Sequence, residues 1–168
     1  MKPLLVAVDF SDCAHAVVAD ADALAGRLGT ELVLLHVVEG HEGLGLSTRL
    51  DRSGRTAGQV LAAEAQELLG TFATTVPAQT VVRAGPVVST IHAAAEEVGA
   101  EMIVMGTHGR RGMAHLVLGS VAQKVVATAK VPVLTVRAQH RPSCEAANCN
   151  WCSSRTPMEE QMGFEADG

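Results

Sequence analysis

The sequence predicts an α/β fold, a five-stranded parallel open sheet with helices on both faces. Two observations carry this. Aliphatic runs alternate with Ala-rich amphipathic stretches five times along the chain, the signature of βα units in a parallel sheet. Hydrophobic residues make up 48% of the 168 positions while aromatics make up only 2%, so the core has to be built from Val, Leu, Ile, Ala and Met. Strands buried on both faces read as such near-continuous aliphatic runs, and the length is that of one ordinary domain.

Leu4 to Val8 is the first strand, ending at Asp9, after which Ser11 or Asp12 is suited to cap a helix. Residues 13–28 form that helix and Gly29 stops it. Glu31 to Val38 is the clearest strand of the chain. Residues 39–56, rich in Gly, Arg and Ser, lack periodicity and read as a loop longer than compact domains usually hold without a purpose. A second helix is expected from Ala57 to Thr75, with Val60, Leu61, Ala65, Leu68 and Leu69 as its apolar stripe and Pro77 as its end. Thr80 to Arg83 gives a third strand. Gly85-Pro86 then turns the chain into a helix from Val87 to Val98, with Pro86 near its first turn and Gly99 closing it. Met102 to Met105 is the fourth strand, Ser120 to Ala129 the fourth helix, and Val133 to Val136, after Pro132, the last strand. No internal repeat is present.

Composition narrows the function. The formal net charge is −5 and no Lys/Arg run is longer than Arg110-Arg111, which excludes the basic face of a nucleic-acid binder. With no Tyr and three Phe, the chain also lacks an aromatic platform for stacking bases. The first residues are too soon charged for a signal peptide, and no apolar run approaches a membrane span. Three of the four cysteines crowd into the last 25 residues, which is not the framework of a secreted disulfide fold. A cytoplasmic location without membrane contact is expected.

Open parallel sheets bind ligands beyond the carboxyl ends of their strands, where the strand order reverses. That rule nominates Asp9, the Val37-Val38 region and Gly106, all at strand ends. Gly106, Gly109, Gly112 and Gly119 allow close backbone approach to a ligand. Ser120 sits where a helix N-cap would be, so the N–H groups of Ser120, Val121 and Ala122 and the helix dipole make an anion site. The Ser120 hydroxyl can donate to it, and Arg110 and Arg111 can add charge-assisted contacts. Neither a P-loop ending nor the dinucleotide fingerprint is present, so the residues alone specify an anion site of unnamed ligand.

The run Val104-Met105-Gly106-Thr107-His108-Gly109, followed after nine residues by Gly119-Ser120-Val121, resembles the universal stress protein family. It matches the G-x2-G-x9-G-[S/T] pattern of that family's ATP-binding branch. Val8-Asp9-Phe10-Ser11, Leu34-Leu35-His36-Val37-Val38 and Val131 to Val136 are similar to its first, second and last strands, so the likeness spans roughly residues 3 to 138. The resemblance implies a Rossmann-like sheet of the adenine-nucleotide alpha-hydrolase type and ATP, or another adenine nucleotide, with Mg or Mn. Ala7 and Asp9 would border the adenosine, the backbone of Val37 would contact the adenine, and Met105 would pack near it. Gly106, His108, Gly109 and Arg110 would follow ribose and phosphates, with Gly119, Ser120 and Val121 cradling the phosphate chain. It also implies a homodimer paired through Val133 to Val136, which would cover an exposed aliphatic edge.

Simpler readings stand beside these. Asp9 can merely cap the first helix with Ser11 and Asp12. An acidic pair after strand one also fits a phospho-accepting receiver, but such a domain needs an acceptor Asp after strand three, where Arg83-Ala84-Gly85 stands. His36 reads as a core histidine with a partner, and Cys13 as a small buried residue. No carboxylate pair or Ser/His/Asp set is placed to activate water, so the expectation is binding and sensing with at most slow ATP hydrolysis.

The chain divides into residues 1–138, the expected domain, and a Cys-containing tail, 139–168. His140, Cys144, Cys149 and Cys152 give H-x3-C-x4-C-x2-C, and the C-x2-C pair lets both thiolates reach one tetrahedral zinc. A redox-active pair or a tail with incidental thiols are the rival readings. Three functions therefore stand: a nucleotide-binding regulator, a redox or metal sensor built on the tail, or a ligand-free interaction module.

Overall fold

The computed structural model describes residues 2–11, 13–39, 45, 47–49, 54–107 and 118–137. Nine elements follow in order: β1 (Leu4–Ala7), α1 (Ala14–Leu28), β2 (Leu32–Val38), α2 (Ala57–Leu69), β3 (Ala78–Ala84), α3 (Val87–Glu97), β4 (Met102–Gly106), α4 (Ser120–Thr128) and β5 (Val133–Val136). The five strands form one parallel sheet in the order β3-β2-β1-β4-β5. The order reverses between β1 and β4, and open parallel sheets hold their ligands beyond the carboxyl ends of the strands at such a reversal.

Alternation along each strand divides the core into two layers. Leu4, Val6 and Val8 of the first strand segment join Leu32, Leu34 and Val104 against Val17, Val18 and Ala21 of α1 and Leu69 of α2. Leu5 joins Val33, Leu35, Ile103 and Met105 against Ile91, Ala94 and Ala95 of α3 and Ala122 and Val125 of α4. Leu4, Leu5, Leu32, Leu34, Leu35 and Ile103 are fully buried, each contributing about 1.5–3 kcal/mol of apolar burial. This is the three-layer arrangement that the aliphatic runs predict.

The element ends carry the corrections. Helix α2 stops at Leu69, with Gly70 as its C-cap, rather than running to Thr75. Past Gly70 the Thr71 and Phe72 N–H groups bond only three residues back, to the Leu68 and Leu69 carbonyls at 3.1 and 3.3 Å. Further on, the Asp22 carboxylate of α1 accepts from the backbone N–H of Thr75 (2.9 Å), the Thr75 hydroxyl (2.7 Å) and the N–H of Val76 (3.1 Å), fixing the segment that follows the helix. Burial raises the carboxyl's pKa, but the bonds to Thr75 and Val76 outweigh it and hold Asp22 below its usual value. At the start of α1 Ser11 is not the cap. Cys13 occupies the N-cap with no side-chain bond, the Ser11 carbonyl accepts from the Ala14 N–H at 2.8 Å, and Asp12 lies outside the described residues. By contrast, α2 begins with a full capping box between Thr56 and Gln59, worth about 1 kcal/mol. Gly29 ends α1 in the left-handed region, φ 66°, as its position implies.

Candidate functional site at the sheet switch point

The site is built on the carboxyl edge between β1 and β4. Ala7 lies opposite Met105 and Leu35 in the ladder, and Gly106 lies opposite Val136. Ala7, Val37, Met105 and Val121 all pack in the α3/α4 layer, together with Val87, Val88 and Leu118. Four nominated residues, from three strands and one helix, thus belong to one apolar layer.

Helix α4 starts at this edge. Gly119, rather than Ser120, is its N-cap, so Ser120 is the first helical residue. The Gly119 N–H donates to the Thr107 carbonyl at 2.7 Å, and the Thr107 N–H donates to the Val136 carbonyl at 3.0 Å. The first turn-closing bond runs from Gln123 N–H to Gly119 carbonyl at 2.9 Å. In such a helix the N–H groups of Ser120, Val121 and Ala122 project from its end, where the dipole adds about half a positive charge. The start of α4, with those N–H groups, therefore lies at the carboxyl end of β4. His108, Gly109 and Arg110 lie outside the described residues, as do Arg111 and Gly112.

A cleft of about 770 Å³ opens between α3 and α4 and includes Ser120 and Val121. Its other upper walls are Glu39, Pro86, Val87 and Val88, and Lys124 joins them from α4. None of these five was nominated from the sequence. The available signal was Gly85-Pro86 directly after a strand. Gly85 has φ 144° and its N–H donates to the Val38 carbonyl at 3.1 Å. A Cβ there would stand 3.0 Å from the Thr90 hydroxyl, so only glycine fits, and its turn delivers Pro86 to Val88 beside the end of β2.

Asp9 follows Val8 at the same edge. Its carboxylate accepts from the Ser11 N–H at 3.0 Å, a local turn bond that keeps the simple structural role alive alongside a ligand role. The next residue, Phe10, has φ 56°. A left-handed conformation costs a non-glycine residue about 1–2 kcal/mol, and such strain concentrates at functional sites. His36, half-buried on β2, does have a partner: its Nδ1 donates to the Val8 carbonyl at 2.7 Å. Phe10 lies over the His36 ring with centroids 4.2 Å apart.

His140, Cys144, Cys149 and Cys152 lie outside the described residues, so their grouping is not observed. Among the described residues no set of three or more His, Cys, Asp or Glu is placed to hold a metal. No helix among them is long and apolar enough to cross a membrane.

Known proteins place this arrangement. The family model described as the universal stress protein family matches residues 1–137. A universal stress protein of Thermus aquaticus is 37% identical over 146 residues, covering 81% of this chain and 98% of its own. The solved protein MJ0577 of Methanocaldococcus jannaschii superposes with a TM-score of 0.66 at 23% identity, covering 84% of this chain and 99% of that one. A universal stress protein solved in complex with cAMP gives 0.57 at 22% identity, covering 82% and 98%. One from Archaeoglobus fulgidus, solved in complex with dAMP, gives 0.55 at 24%, covering 80% and 97%. The five-stranded parallel sheet, the residues at its switch point and the match over residues 1–137 lead to one assignment: this chain belongs to the universal stress protein family.

Proposed function

We propose that this chain is an ATP-binding universal stress protein, a cytoplasmic regulator of the stress response that binds and senses adenine nucleotide as a homodimer. The observation that carries the reading is the grouping of Ala7, Val37, Met105 and Val121 in one apolar layer beside the start of α4. An apolar wall next to helix-end N–H groups suits a flat base joined to a phosphate chain. Universal stress proteins of the same fold in complex with cAMP and dAMP support the adenine class.

In this reading Ala7 and Met105 border the base, the Val37 backbone contacts it, and Asp9 meets the ribose. Gly106, His108, Gly109 and Arg110 follow the phosphates to Gly119, Ser120 and Val121. Mg or Mn arrives with the triphosphate, whose hard oxygens supply its main ligands. β5 is an edge strand with Leu134 37% exposed, and the homodimer pairs β5 with its copy, Val133 to Val136. Hydrolysis is at most slow in this reading, because the sequence places no carboxylate pair or Ser/His/Asp set to activate water. Thermal melting with Mg-ATP, AMP and cyclic AMP tests the reading, and a melting temperature unmoved by all three refutes it.

A second reading rests on a separate feature, the H-x3-C-x4-C-x2-C spacing of the tail. In it His140, Cys144, Cys149 and Cys152 hold zinc and make the protein a metal sensor. Metal analysis of the purified full chain decides it.

A further inference from the structure

The nucleotide site lies on the α3/α4 face, yet both chain neighbours of Asp9 are held from the opposite face by one side chain. The Val8 carbonyl can only accept, so the 2.7 Å contact fixes the proton on Nδ1 of His36. That carbonyl belongs to the planar peptide linking Val8 to Asp9, so the bond also sets the orientation of the Asp9 N–H. On the other side, Phe10 adopts φ 56° and lays its ring 4.2 Å from the His36 ring, with Phe72 stacked beyond it at 6.4 Å. A left-handed phenylalanine persists only where its surroundings over-determine it, and here the imidazole and Phe72 do so.

We infer that His36 is a positioning residue for the nucleotide site: working through the Val8 carbonyl and the Phe10 ring, it fixes Asp9 at the switch point. The inference rests on the nucleotide reading above and assigns His36 no contact with ligand. Alternation supports the division of labour. Val8 faces the α1/α2 layer with Leu4 and Val6, so Asp9 comes on the side of Leu5 and Ala7, whose neighbours include Val37 and Met105. His36 holds the frame from behind while Asp9 meets the ligand in front.

Covalent geometry supplies a discriminating test. Asparagine carries its amide nitrogen one bond from Cγ, where Nδ1 sits, whereas glutamine carries it one bond further out. Calorimetric titration of the full chain with Mg-ATP should show His36→Leu and His36→Gln weakened about tenfold, the scale of one lost hydrogen bond that orders a site. His36→Asn should return to within about threefold of wild type. A residue valued only for packing would rank leucine above asparagine, so equal affinities for the two, or a leucine variant at wild-type affinity, overturns the inference. Should His36→Leu fail to fold, Phe10→Leu keeps apolar volume while removing the ring, and about threefold weaker binding is expected; unchanged binding there also counts against it. A wild type that binds none of Mg-ATP, AMP or cyclic AMP brings down the nucleotide reading itself, a failure seen before any variant is compared.

Discussion

The N–H of Gly119 donates to the carbonyl of Thr107 at 2.7 Å, tying the first turn of α4 to the end of β4. Because Thr107 is itself bonded to Val136, the start of α4 is referenced to the sheet through two backbone bonds. Gly119 has φ −57° and ψ 151°, a conformation open to any residue. Gly119→Val should therefore keep the fold, with stability changed by about 1 kcal/mol for a poorer N-cap. Its side chain would stand at the helix end, and Mg-ATP binding should weaken about a hundredfold, the loss of roughly two charge-assisted hydrogen bonds. Titration calorimetry beside a melting curve separates the two effects.

Asp22 stitches α1 to the segment after α2. Asp22→Asn should cost about 1–3 kcal/mol in urea melts, since one acceptor is exchanged for a donor facing donors. The wild-type carboxyl is held below 3.8 in the folded state. Its contribution is thus present above the unfolded value and lost as pH falls through the folded one. Below about pH 4 the wild type should lose stability faster than Asp22→Asn; parallel acid profiles for the two would show that Asp22 is not the group responsible.

The dimer proposal makes a backbone prediction. Pro132 and Val136 turn their carbonyls to β4, accepting from Ile103 and Thr107 at 3.0 Å each. In a parallel ladder the intervening Val133 and Thr135 turn their N–H groups outward. Thr135→Pro therefore removes a donor from the free edge while sparing the β4 pairing. Light scattering should find wild type as a dimer and Thr135→Pro as a monomer of unchanged fold. A dimer that survives this substitution is not paired through β5.

The tail reading predicts one zinc per chain in freshly purified protein, lost in Cys149→Ser and reduced by chelators without melting residues 1–137. Elemental analysis finding no zinc in wild type, or the same content in Cys149→Ser, removes it.

The strands were legible because each is a short aliphatic run buried on both faces, and the switch-point rule then nominated Asp9, the Val37-Val38 region and Gly106 without any side-chain geometry. What escaped was decided at a distance. The segment after α2 is held by Asp22 at Thr75 and Val76, and Asp22 reads in the sequence as just another residue of the first helix. The Val87 and Val88 wall reaches the site only because Gly85 turns at φ 144°. A phenylalanine at φ 56° runs against local preference, so Phe10 gave no sign of its role until its ring was seen over His36. The shift of the α4 cap from Ser120 to Gly119 is a one-residue boundary error that leaves the same N–H groups exposed.

The central claim is that the switch point binds an adenine nucleotide, and thermal melting of the purified full chain with Mg-ATP tests it most directly. At a hundredfold excess over Kd, binding to the folded state adds about 2.7 kcal/mol, a rise of about 5–10 °C for a domain of this size. That rise is the result the account predicts. A melting temperature unchanged by saturating Mg-ATP, AMP and cyclic AMP would contradict it and leave the tail-based sensor and the ligand-free interaction module.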